Sequence, residues 1–327
     1  MYEMLKGIDA VKLNFSEGGL VFMNITLAVI MFGVALEIKV QHFRNILNFP
    51  KSFILGFGAQ FIALPALTFL LVIILRPPAS VAMGMILIAA CPGGNISNFI
   101  SSLSKANVAL SVSLTAAATL SATLLTPLNY SIYGNLYTEF SERALHLNIP
   151  IEIDFWLMAQ TVFILLGLPL IVGMWVGNRF PEFTAKYLKP IKISSIVLYL
   201  VFIFGALFAN LEHFGSSILV IGFIVLLLNA QTLFTGFLVG TIGKVSRADR
   251  RTLSIETGIQ NSGLALILIF NPKLFGGNGG MAFMAAWWGI WQMLSGLVLA
   301  FILSRIKLPE EVKTKEAKVL VDSKEKS

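Results

Sequence analysis

The segment Thr252-Leu-Ser-Ile-Glu256-Thr-Gly-Ile-Gln260-Asn261-Ser-Gly263 runs directly into the apolar stretch Leu264 to Phe270. A carboxylate in such surroundings is expensive, about 2.5–3.5 kcal/mol for an Asp at a bilayer centre on insertion scales, so ionisable residues there mark ion or substrate paths. Two glycines and a Gln-Asn-Ser cluster in the same stretch suit a helix that unwinds where it lines a polar cavity. From Glu256 to Asn271 is roughly 22 Å at 1.5 Å per residue, short of the roughly 30 Å of hydrocarbon in a bilayer. Residues 247–255 must then take part in the crossing, which puts Glu256 deeper than the rim. Two plainer readings stand beside this one: Glu256 snorkelling to the interface, or pairing with Arg250.

The rest of the chain agrees with a membrane setting. Of 327 residues, 56% are hydrophobic and only 13% charged, against roughly 25% charged in soluble domains. The expectation is an all-α polytopic membrane protein with about nine spans, at 18–36, 52–75, 77–104, 106–133, 155–178, 193–211, 214–243, 252–272 and 274–304. Basic residues divide unevenly across the implied loops: 19 fall on the side of the C-terminal tail and 5 on the side of the N-terminus. That bias puts the N-terminus outside and the C-terminus in the cytoplasm, and favours an odd span count. The net charge of +7 therefore follows from orientation and implies no nucleic acid. A single cysteine, Cys91, leaves no internal disulfide. Residues 1–17 read as an external N-terminus, and 305–327 as a solvated, disordered cytoplasmic tail.

Two spans are interrupted near their middles. One carries Cys91-Pro-Gly93-Gly94-Asn95-Ile-Ser97-Asn98, a break at 91–98, and the other a break at 256–263. Each follows a span with the dipeptide Ala-Gln, at Ala59-Gln60 and Ala230-Gln231. Broken helices at matching positions are a mark of inverted-repeat transporters. The expected organisation is a first repeat over 18–133 (panel helix 18–36, core helices 52–133), a joining panel helix at 155–178, and a second repeat over 193–304 with core helices 214–304. Spans 1, 5 and 6 form the panel.

An alkali cation needs several hard oxygen ligands, preferably with one formal negative charge among them. The sequence offers such groups at Ser97 and Asn98, at Ser111 and Thr115 on one helical face, at Gln60, and at Glu256, Thr257, Ile259 and Gln260, with Thr257 and Ile259 acting through their carbonyls. Against this, Ser and Thr in membrane helices most often bond their own backbone, Gln60 could be helix–helix glue, and Pro92 and Gly93 could simply kink a helix.

The stretches Cys91 to Asn98, Asn107 to Thr115 and Ser254 to Ser262, with Gln60 in Ala-Gln-Phe-Ile-Ala-Leu-Pro65, resemble the signature regions of the bile acid:sodium symporter family. The resemblance runs from about Leu27 to Ser304 and matches the nine-span form. It implies sodium-coupled import of an organic anion by alternating access, with two sodium ions as coupling ions and no other cofactor. By matching position, one ion falls to Ser97, Asn98, Ser111, Thr115 and Glu256, and the second to Gln60, Glu256, Thr257, Ile259 and Gln260. The same resemblance crosses the two broken helices and sets Gly94, Asn95 and Asn261 toward the substrate. On the same grounds Gln292 is a substrate contact in the cavity and Trp288 and Trp291 lie near it, with aromatic packing the plainer role for the tryptophans. The implied partners are an organic anion, sodium and the lipid bilayer, with no obligate protein partner; the default expectation for location is a bacterial inner membrane.

Three other classes compete. A proton-coupled transporter or sodium/proton exchanger would use Glu256 as proton carrier. An intramembrane enzyme lacks support, because His42, His146 and His213 lie in or beside loops and no HExxH or GxSxG pattern occurs. A non-coupled binding protein would hold ligand without sodium dependence.

Overall fold

The computed structural model describes residues 17–39, 44, 46–145, 154–208 and 217–306. The expected external segment 1–17, except its last residue, and the tail from 307 lie outside these residues, as do the ends 209–211 and 214–216 expected for spans 6 and 7. Among the described residues every regular element is helical: α1 (Glu17–Glu37), α2 (Pro50–Leu75), α3 (Ala79–Ala90), α4 (Ile96–Leu103), α5 (Val108–Leu145), α6 (Phe155–Arg179), α7 (Pro181–Phe208), α8 (Ser217–Ile242), α9 (Arg247–Gly258), α10 (Ser262–Phe270) and α11 (Gly279–Arg305). The one β-type pairing is an isolated antiparallel bridge between Gly93 and Gln260.

Five of these helices, α2, α5, α6, α8 and α11, are each long and apolar enough to cross a membrane, which makes this a multi-pass membrane protein. Their outward faces are lipid-like: Ile54 and Ile62 on α2 are both 69% exposed, and Trp156, Ile164 and Trp175 on α6 are exposed as well. At this density, exposed apolar side chains make sense only against hydrocarbon.

Local chemistry accounts for several irregularities. Both α2 and α6 contain one widened turn, Ala59–Ala63 and Phe163–Gly167, each followed by Leu-Pro. Proline has no N–H to give to the carbonyl four residues back, so the chain takes a five-residue repeat there. On α2 that turn contains Gln60. The helix expected at 106–133 continues to Leu145, and the one expected at 193–211 already starts at Pro181. Polar residues beyond the hydrocarbon do not stop a helix, so hydropathy alone set those limits too tight.

The breaks are narrower than the sequence suggested. The helix resumes at Ile96 after the first, and α9 continues through Gly258 before the second, leaving only Ile259 to Asn261 non-helical. Ser97, Asn98, Glu256 and Thr257 therefore sit on helices. None of the halves reaches across alone: α3 and α9, at 12 residues each, are roughly 18 Å long.

Packing divides by polarity. The apolar halves α3 and α10 join the first part of α11, including the fully buried Trp288, in the main hydrophobic core. The polar halves pack on each other and on α5, α4 also against α11 and α9 against α8 and α2, with only small apolar clusters around Ile255, Ile259, Leu253 and Leu114. α1 lies mainly against α6 and α7. Both GxxxG sequences are spent inside the fold. Gly173 and Gly177 admit the backbone of α1 near Phe32 and Leu36, and Gly236 and Gly240 admit α9 at Leu253 and Arg250.

A side chain at Gly236 would collide with the backbone carbonyl of Leu253, which cannot rotate away. Gly236→Val should therefore lower the melting temperature of the purified protein, as expected for overpacking worth about 1–3 kcal/mol. Gly58→Ala, where a Cβ meets nothing within 4 Å, should be neutral or slightly stabilising.

Candidate functional site

The two breaks solve each other's backbone problem. A non-helical segment in a membrane leaves N–H and C=O groups without intrahelical partners, each costly to bury unpaired. Here Gly94 N–H donates to the Ile259 carbonyl at 2.8 Å, and Asn261 N–H donates to the Pro92 carbonyl at 2.8 Å. Close approach requires glycine at this point, since a Cβ at Gly94 would lie 2.9 Å from the Gln260 carbonyl oxygen.

Amide side chains satisfy what the bridge leaves over. Gln60 Nε2 donates to the Cys91 carbonyl at 2.9 Å and to Gln260 Oε1 at 2.8 Å. Gln260 Nε2 donates to the Thr257 carbonyl at 2.7 Å and to Gln60 Oε1 at 3.2 Å. Gln292 Oε1 accepts from Gln260 N–H at 2.8 Å, while its amide donates to the Ser262 hydroxyl at 3.3 Å. Asn229 Nδ2 donates to the Gly258 carbonyl at 2.9 Å.

One turn before the second break, Glu256 is only 5% exposed. Its Oε1 accepts from Ser97 Oγ at 2.6 Å and from Ser111 Oγ, and its Oε2 accepts from Thr115 Oγ1 at 2.8 Å. Asn98 Oδ1 lies 2.9 Å from Ser111 Oγ and 3.2 Å from Thr115 Oγ1. Three hydroxyl protons thus face both carboxylate oxygens and the Asn98 oxygen, and each hydroxyl can donate only once. The result is a cage richer in oxygen lone pairs than in protons. Neither plainer reading of Glu256 describes this geometry. The Arg250 guanidinium lies over the Phe237 ring, and Arg251 donates to the Ser104 and Ile306 carbonyls at 2.8 and 2.7 Å.

A small cavity opens beside the carboxylate, lined by Gly56, Phe57, Gln60, Gly93, Leu114, Ala118 and Glu256, with room for about one water molecule. The buried Thr257 hydroxyl next to Glu256 has no hydrogen-bond partner. Among the described residues, no three His, Cys, Asp or Glu side chains gather as a metal-binding group. The donor set here is one carboxylate with neutral oxygens, which suits a hard alkali cation better than a transition metal.

The structure thus brings Ser97, Asn98, Ser111, Thr115 and Glu256 into one cluster, and Gln60, Thr257, Ile259 and Gln260 into a second that adjoins it. The Thr257 and Ile259 carbonyls, expected as free ligands, already accept hydrogen bonds from Gln260 and Gly94. Asn95 and Asn261 are half-buried beside the crossing, and Asn261 Oδ1 caps α10 through Leu264 N–H at 3.0 Å. Gln292, expected near the cavity, is buried, with its carboxamide bonded to the Gln260 N–H and the Ser262 hydroxyl. Trp288 is core packing and Trp291 is half-buried against that core.

Sequence reasoning overlooked Asn229. The Ala-Gln echo drew attention to Gln231, which instead pairs with Thr68 and Thr235. The signal was available, since Asn229 is a polar residue in an otherwise apolar run and lies at a helical position able to face α9.

An all-helical, multi-pass fold with a caged carboxylate at the crossing of two broken helices belongs to the class of membrane transporters. The chain is a member of the Sodium Bile acid symporter family, whose sequence profile matches residues 24–217. It is 30% identical over 299 residues to a Bacillus subtilis protein described as the uncharacterized sodium-dependent transporter YocS, covering 90% of this chain and 85% of that one. It is also 30% identical to the Arabidopsis thaliana protein described as a probable chloroplastic sodium/metabolite cotransporter, BASS1, over 74% of this chain and 57% of the plant protein. Mouse sodium/bile acid cotransporter 4 is 28% identical over 78% of this chain and 58% of its own length. The chain therefore spans somewhat over half of the plant and mouse proteins.

Asn229→Leu should leave the buried Gly258 carbonyl unpaired, a loss of about 1–3 kcal/mol, and lower the melting temperature. A variant as stable as the parent would show that the bond is dispensable.

Proposed function

We propose that this chain is a sodium-coupled symporter that imports an organic anion by alternating access. The observation that carries the reading is the caged Glu256. A buried carboxylate, three hydroxyls and an amide oxygen converge from α4, α5 and α9 on one point, with more lone pairs than protons to share. A monovalent cation placed there would take up the surplus lone pairs and neutralise the carboxylate.

The second cluster, Gln60, Thr257, Ile259 and Gln260 with Glu256, is the proposed place of a second sodium. One carboxylate would then be shared between two cations. The unpartnered Thr257 hydroxyl and the small cavity between Gln60 and Glu256 support this position. The substrate's negative group would sit by Gly94, Asn95 and Asn261, where the N-terminal ends of α4 and α10 carry the positive ends of the helix dipoles. Relatives described as sodium-dependent, sodium/metabolite and sodium/bile acid transporters agree with this class of cargo.

The wider arrangement follows from the same reading. Of nine spans, eight form two inverted repeats of four joined by α6, with α3–α4 and α9–α10 each counted as one broken span. α1 packs mainly against α6 and α7, which supports a panel against which the core helices rock. The bias of basic residues in the loops supports an N-terminus outside and a C-terminus in the cytoplasm, with a bacterial inner membrane as the proposed location.

Sodium, with potassium as control, should raise the melting temperature of the purified protein, since a ligand at 100 times its Kd adds about 2.7 kcal/mol to stability. Glu256→Ala should abolish that rise. Ser111→Ala and Thr115→Ala should each raise the sodium midpoint roughly tenfold, which is about 1.4 kcal/mol. A wild type indifferent to sodium would overturn the reading and favour proton coupling through Glu256.

A further inference from the structure

A second buried carboxylate lies on the same helix as Glu256 and takes no part in the cage. Asp249, 8% exposed, sits seven residues before Glu256 on α9, two turns away on the same face. Its Oδ1 accepts from Asn107 Nδ2 at 2.7 Å, and its Oδ2 accepts from Ser52 Oγ at 2.7 Å. Asn107 stands immediately before α5, with its own Oδ1 accepting Leu110 N–H at 3.1 Å, and its carbonyl accepts from Thr252 Oγ1 at 3.0 Å.

These bonds form a ladder between two helices. The first rung is Asp249 to Asn107, the next is Thr252 to the Asn107 carbonyl, and the last is Glu256 to Ser111 and Thr115. Along α5 the partners fall at Asn107, Ser111 and Thr115, at steps of four. Along α9 they fall at 249, 252 and 256, at steps of three and four. Both series hold one helical face, so the first rung sets the sliding and rotation of α5 against α9 at the last. Ser52 ties the start of α2 to the same carboxylate, and Gln60, eight residues further along α2, lies on the face that meets Gln260.

We infer that Asp249 is a positioning residue for the ion site: by holding Asn107 and Ser52 it fixes the register of α5 and α2 against α9, and so sets where the Ser111, Thr115 and Gln60 oxygens stand relative to Glu256. This rests on the sodium reading of the Glu256 cage. A plainer role exists, because Asp249 is also in the first turn of α9, where an acid favours the helix dipole and Ser246 supplies the cap. That role needs the charge at position 249 and nothing of Asn107.

Exchange of the pair separates the two. Asn107→Asp sets two carboxylates against each other, while the double variant Asp249→Asn/Asn107→Asp restores an acid–amide pair with every hydrogen bond available, including the bonds to Ser52 and Leu110. The measurements are the sodium midpoint and the sodium-to-lithium preference from thermal shifts of purified protein, with the sodium-free melting temperature as the stability control. Asn107→Asp should raise the sodium midpoint five- to tenfold and blunt the preference for sodium over lithium, because displaced oxygens no longer gauge the ion's size. The double variant should return within about twofold of wild type. Ser52→Ala removes a single bond and should show a smaller rise, which keeps the test open if Asn107→Asp fails to fold. Unchanged midpoints in Asn107→Asp or, where that fails to fold, in Ser52→Ala, or a double variant that stays impaired, would overturn the positioning role while leaving the sodium reading intact. A wild type without a sodium-specific shift would overturn both.

Discussion

The arrangement depends on a pair of backbone hydrogen bonds, Gly94 N–H to the Ile259 carbonyl and Asn261 N–H to the Pro92 carbonyl. Breaking one helix inside a membrane would expose several unpaired groups, each costing kcal/mol in hydrocarbon. Breaking two helices where they cross lets each supply what the other lacks. The glycine at 94 follows from that geometry, since a side chain there would press on the Gln260 carbonyl, and Gly93 lies nearly as close to Glu256. Gln60, Asn229 and Gln292 are tied to the same requirement, because each spends an amide on a backbone group freed by a break.

Glu256 is held beside this crossing by a different balance. Desolvating a carboxylate opposes its burial, and hydrogen bonds from Ser97, Ser111 and Thr115 offset part of that cost. No rigid fork of donors is present, as an arginine would provide. Hydroxyls rotate, and the same oxygens that donate to a carboxylate can turn their lone pairs toward a cation. The site is built from groups that can serve either partner.

Much of this was legible in the sequence because a carboxylate and a Gly/Pro-rich run are rare inside apolar stretches. The oxygen-bearing residues around Glu256 and Gln60 could be named one by one, while their division into two clusters came from the family resemblance. Helix limits were harder: α5 continues to Leu145 because polar residues beyond the hydrocarbon do not stop a helix, and α9 through Gly258, whose carbonyl finds a partner in Asn229 that no hydropathy pattern reveals. The Ala-Gln dipeptides misdirected attention to Gln231. Two residues along a helix is a turn of about 200°, so Asn229 faces the break that Gln231 cannot reach. The bond from the Gln260 N–H to Gln292 was hidden for a related reason. A backbone N–H in need of a partner leaves no mark in the sequence, and a polar residue in an apolar helix reads equally well as facing a cavity or facing that N–H.

The two neighbouring clusters differ in what a cation would have to displace. Around Gln60 and Gln260 the oxygens other than the Thr257 hydroxyl are already matched: the amides pair with each other, and the Cys91, Thr257 and Ile259 carbonyls each hold an N–H. An ion entering there exchanges one satisfied set of bonds for another, so its net gain is small. Around Glu256 the oxygens outnumber the protons, so an ion adds attraction without removing as much. Because Gln60 bonds to both Cys91 and Gln260, disturbing the matched cluster acts on both breaks at once, whereas Asn229 touches only Gly258. On the sodium reading, the caged carboxylate is the site that favours binding, and the amide pair is the site that senses it.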